Sequence, residues 1–151
     1  MTHQVAPIYV KLRAKVFAFK DEKAPVGFPQ GVIVETGRAD GVVTLLALSD
    51  GAVGMILSNG RSTLGAGKHV PTARAAAFLG ATAKEFASDM PVASDTDLPS
   101  EGEVRIYVLI DGGVRAVRGK EADFLENRLP QSPIFLAARN VMATISTSRP
   151  A

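Results

Sequence analysis

VVTLLALSDGAVGMILSNGRSTLGAGKHVPTARAAAFLGATAKEF, residues 42–86, is the stretch whose reading decides the fold. Residues 42–48 are apolar at nearly every position, which predicts a central strand covered on both faces. Asp50-Gly51 predicts a hairpin through a type I′ turn, whose two central residues need positive φ. A further strand is expected over 53–57, with Gly54 marking a bulge or a close backbone approach. Residues 58–70 read as a long loop with room for a very short strand. Pro71 suits the first position of a helix, where its missing N–H does no harm. That helix is expected to reach about Ser88, with Leu79, Ala83, Phe86 and Met90 on one face at helical spacing. Its alanines (Ala73, Ala75, Ala76, Ala77, Ala81 and Ala83) permit close packing against a sheet or a partner helix. Pro91 stops it.

Outward from this stretch, residues 8–20 fit both periods: Ile8, Leu12, Val16 and Phe19 share a helical face, while alternate residues fit a strand. The helix formers Leu, Arg, Ala and Lys favour a helix. Residues 21–30, with two prolines and a glycine, form a connection, 31–35 a strand, and 37–41 a turn. On the C-terminal side, 91–102 read as a polar, acidic surface linker whose Asp95, Asp97 and Glu101, with Glu103 just beyond, are solvated. A strand over 103–110 points Val104, Ile106, Val108 and Ile110 one way. Asp111-Gly112 turns the chain into a strand at 114–118, and 120–128 hold a short helical turn. Ser132-Pro133 reads as an N-cap followed by a first-turn proline. The last helix buries Phe135, Ala138, Met142 and Ile145 and ends before Arg149-Pro150.

The order α-βββ-α-ββ-α, with short hairpins, predicts one α+β domain built on a mostly antiparallel five-stranded sheet with flanking helices. The termini, 1–7 and 148–151, are expected to fray. In outline this order is similar to profilin-like folds such as the roadblock, longin and GAF domains, although no sequence motif of those families is present. The resemblance implies a ligand sensor or a protein-interaction platform. A faint internal echo pairs Val43, Asp50, Val53 and Pro71 with Val104, Asp111, Val114 and Pro133. The frequency of Asp-Gly in hairpins favours independent use over duplication.

A chain of 151 residues suffices for one core without a metal or disulfide. The absence of cysteine removes thiolate nucleophiles and sulfur ligands. The N-terminus lacks the basic-then-apolar order of a secretion signal, and no apolar run approaches the ~20 residues of a membrane span. A cytoplasmic protein with no membrane contact is therefore expected. Residues 1–75 carry 9 basic and 5 acidic side chains and the remainder 8 and 10. The mild asymmetry argues against nucleic acid, because the basic cluster Lys11, Arg13, Lys15, Lys20 and Lys23 is diluted by Asp21 and Glu22.

The sharpest candidate chemistry lies at 59–69. A phosphate loop of the form G-x-x-x-x-G-K-[ST] would align with Gly67-Lys68. Ser62 occupies the place of its first glycine, however, and His69 that of the metal-binding hydroxyl. Nucleotide hydrolysis is thereby excluded. What survives is a small-anion site formed by Arg61, Gly65, Gly67, Lys68 and His69 ahead of the helix. The competing reading is a glycine-dependent connection and nothing more. His3 lies in the N-terminal segment, and no sequence rule sets a carboxylate beside His69. No metal-ligand spacing and no G-x-S-x-G occurs, so no catalytic residue, metal or cofactor is assigned. Phe17, Phe19 and Phe28 cover the sheet, or, if Phe17 faces outward, offer a docking residue. The expectation is a non-catalytic domain acting by protein–protein contact, self-associating as a homodimer through a sheet edge or the alanine-rich helix. The alternative is a small-ligand or phosphate sensor using 59–69.

Overall fold

The computed structural model describes residues 5–148, so His3 lies outside the described residues. Helix α1 (Pro7–Phe17) precedes strands β1 (Gly31–Arg38), β2 (Gly41–Leu48), β3 (Val53–Leu57) and β4 (Ser62–Thr63). A 3-10 turn (Ala66–Lys68) leads into α2 (Val70–Ala87). Then follow β5 (Glu103–Ile110), β6 (Gly113–Lys120), α3 (Glu121–Leu125) and α4 (Ser132–Ser148). The fold is α+β, and its sheet is antiparallel throughout in the order β4-β3-β2-β1-β5-β6. It has six strands rather than five. The added one is the two-residue β4, which pairs Thr63 with Met55 and Ser62 with Ile56. Two residues carry no periodicity, so composition leaves such a strand inside its loop.

The sheet has two apolar faces. On one, Val32, Val34, Leu45, Ala47, Val104, Ile106 and Val108 meet α2 and α4, which supply Ala75, Leu79, Ala83, Phe135, Ala138 and Val141. These alanines bring α2 close to the sheet, as small residues should. On the other face, Ile33, Leu46, Ile56, Tyr107 and Leu109 lie under α1. Strands β1 and β5 are consequently buried on both sides at almost every position, whereas the edge strand β6 has no buried residue.

Four local expectations are corrected. In α1 the buried face carries Tyr9, not Ile8, which is half exposed. The Tyr9 hydroxyl has buried polar partners on the sheet, which outweigh the aliphatic periodicity. At the first Asp-Gly turn only Gly51 takes positive φ, and the loop closes through Gly51 N–H to the Leu48 carbonyl and Leu48 N–H to the Ala52 carbonyl. The second turn is the two-residue form, with φ 55° at Asp111 and 75° at Gly112. Ser132 does not cap forward: its hydroxyl accepts from Leu129 N–H, and Ile134 N–H donates to the Gln131 carbonyl. The 91–102 linker is only partly solvated. Ala93 N–H donates to the Val114 carbonyl, Ala116 N–H to the Pro91 carbonyl, and Asp95 pairs with Arg105 at 2.6 Å.

Candidate functional site

The residues of loop 59–69 are held by the β3–β4 hairpin and the start of α2. Gly65 has φ 75° and opens the 3-10 turn. At Gly67, any Cβ would collide with the Gly51 carbonyl oxygen, so the glycine lets this turn lie against the β2–β3 connection. Lys68 N–H donates to the Gly65 carbonyl and His69 N–H to the Ala66 carbonyl. Two backbone donors of the loop are thus engaged, and Pro71 has none to offer. Arg61 N–H is held by Asn59 Oδ1 at 2.9 Å. The side chains of Arg61, Lys68 and His69 are exposed, and none makes a hydrogen bond or ion pair among the described residues. The structure therefore brings Gly65, Gly67, Lys68 and His69 together ahead of α2, with Gly67 turned inward against Gly51, but not Arg61, which sits beside Leu57 at the far end of β3.

Helix α2 begins where that loop ends. Its inward face is buried at Thr72, Ala75, Leu79, Ala83 and Ala87. Its outward face exposes Arg74, Ala77, Ala81 and Glu85, together with Val70 and Phe78, each 62% exposed. Along one flank runs an apolar groove of about 290 Å³, lined by Phe28, Leu48, Val53, Ala73, Ala77 and Gly80. Phe28 closes it on one side beneath Lys84, whose ammonium lies 5.8 Å from the ring centre. A wider groove of about 580 Å³ follows β6, with Val92, Asp95, Arg105, Tyr107, Arg118 and Gln131 among its walls.

A buried polar cluster under α1 has no counterpart in the sequence reading. Glu35 is fully buried, and Arg13 reaches it with Nε to Oε2 and Nη2 to Oε1, both at 2.7 Å. The Thr44 hydroxyl donates to Glu35 Oε2 at 2.8 Å, and the Tyr9 hydroxyl shares a 2.7 Å bond with Thr44. Arg13 also donates to the Thr96 carbonyl at 2.6 Å and lies over the Phe17 ring. Phe17 in turn meets Tyr107 edge to face and is half-buried, so it covers the sheet. Burial and the neighbouring Glu35 charge push the Tyr9 hydroxyl up to about 12. Burial opposes the charge on Arg13, but the Glu35 hydrogen bonds prevail and raise it. On the adjoining strand, Arg105 resolves the same contest through Asp95. Asp95 itself is lowered by the Asp97 N–H and by Arg105.

This cluster is saturated with partners, which suits it to fixing α1 on the sheet. Its signal in the sequence was the polar pair Glu35 and Thr44 within apolar strands. Among the described residues no three His, Cys, Asp or Glu side chains gather to hold a metal, and no helix is long and apolar enough to cross a membrane. No protein family, curated protein or solved structure matches this chain.

Proposed function

We propose that this domain acts by protein–protein contact and that its partner includes a second copy of itself. The observation that carries the reading is the outward face of α2, where Val70 and Phe78 each stand 62% exposed in solvent. Exposed apolar side chains that share one face, with small alanines between them, mark contact surfaces. The sheet edges support the helix over a strand as the contact. The outer side of β3 carries β4 and the 3-10 turn, and part of the outer side of β6 is paired with residues 91–93. Edges blunted in this way resist strand addition.

Sedimentation velocity of the full chain at micromolar concentration tests the proposal. The expected species has twice the 15.9 kDa chain mass. A single monomer boundary throughout that range would overturn self-association.

A second reading, a small-anion site on loop 59–69, is favoured by the exposure of the neighbouring Lys68 and His69 ahead of α2. Calorimetric titration with phosphate distinguishes it. Binding that the pair Lys68→Ala and His69→Ala abolishes, with assembly unchanged, would support it; no heat from the wild-type chain at millimolar phosphate would end it.

A further inference from the structure

Residues 74, 78, 81 and 85 follow one another at spacings of four, three and four, which places them in a single narrow stripe along a helix. In α2 that stripe reads Arg74, Phe78, Ala81, Glu85, and all four are exposed. It is self-complementary. Two such stripes run antiparallel about an axis midway between Phe78 and Ala81 set Arg74 opposite Glu85 at both ends. In the middle they set Phe78 opposite Ala81 twice, a large residue against a small one.

The charges are also placed against the helix's own field. The N-terminal end of a helix favours anions and the C-terminal end cations. Here the first turn has no acidic residue, Arg74 follows in the next turn, and Glu85 stands in the last. Neither Arg74 nor Glu85 has an ion-pair partner among the described residues. Lys84, the cation of the last turn, is off the stripe and turned to Phe28. An antiparallel neighbour reverses the local field at each end and gives both charges a partner.

We infer that α2 docks on the α2 of a second copy, antiparallel, with Arg74–Glu85 pairs closing the two ends and Phe78 packed on the partner copy's alanines. The inference rests on the self-association proposed above and adds its surface, direction and register. The two ion pairs would stand about 16 Å apart, eleven residues at the helical rise. The geometry is isologous, so it closes at two copies.

Charge reversal tests it by sedimentation equilibrium on the full chain. Arg74→Glu alone and Glu85→Arg alone each create two like-charge contacts, and each should weaken self-association roughly tenfold or more. The double variant Arg74→Glu/Glu85→Arg should recover it. An equimolar mixture of the two single variants should also recover it, as a heterodimer, because every contact there is again opposite in sign. Single variants that dimerise like wild type would overturn the inference while leaving self-association standing. Weakening without recovery in the mixture would overturn the antiparallel register. A wild-type monomer would overturn both readings. Salt gives a readout without substitution: wild-type dissociation should strengthen from low to high ionic strength, and a flat response would count against the paired charges.

Discussion

Glu35 is the residue on which the α1 side of the sheet depends. Its carboxylate, with no exposure, is partnered by the Arg13 fork and by the Thr44 and Tyr9 hydroxyls. Glu35→Ala should cost about 3–5 kcal/mol, because it leaves Arg13 largely buried without its counter-charge. Glu35→Gln keeps the shape and should cost less; urea denaturation measures both. Tyr9 supplies a pH test. Its folded value near 12 stands above the ordinary 10, so the unfolded chain loses this proton first. The contribution is full below pH 10 and disappears between pH 10 and 12. Thermal melts should therefore fall steeply across that window, and less steeply for Tyr9→Phe; equal slopes would show that Tyr9 is not the group responsible. Tyr107, also raised by burial, adds to the slope in the same direction.

Neighbouring positions on α2 separate packing from contact. Leu79 is fully buried between the helix layer and the sheet, so Leu79→Ala should destabilise by about 3–5 kcal/mol. Phe78→Ser, one residue away and exposed, should leave stability within about 0.5 kcal/mol while reducing self-association. At the foot of the helix, Gly67→Ala should cost about 1–3 kcal/mol, since its methyl would meet the Gly51 carbonyl. Differential scanning calorimetry ranks all three. The elements themselves were legible: β3 and β5 begin and end where alternation and turn residues set them, and α2 differs by one residue at each end. Less was legible at α1, because periodicity counts aliphatic residues and gives no weight to a tyrosine whose hydroxyl has a buried partner. The chain lengths of β1 and β6 were also underread, as polar residues such as Arg38 and Lys120 continue the ladder at positions facing solvent. The pairing of Asp95 with Arg105 joins residues that only the folded chain brings together, so an acidic run looked solvated.

Across the whole molecule, the linker after α2 closes part of the sheet by pairing with β6. Ala93→Pro removes the donor to the Val114 carbonyl and should expose that edge. The expected outcome is concentration-dependent aggregation by light scattering, at a temperature where wild type stays clear. The polar cluster under α1 has a wider role in the sheet. Thr44, Glu35, Arg105 and Arg118 lie opposite one another on four successive strands, forming a single polar row across the α1 face. On the same face the next row, Ile33, Leu46, Tyr107 and Ala116, is apolar, and the opposite face sets Val34, Leu45, Ile106 and Val117 against the helices. If β1 slid by one residue against its neighbours, its faces would exchange. Glu35 would then enter the aliphatic layer beneath Leu79 and Phe135 as an unpaired charge, at a cost of several kcal/mol. The row therefore works as an alignment mark: a misthreaded sheet is rejected by one carboxylate, in a chain whose strands are otherwise apolar enough to slip past each other unnoticed.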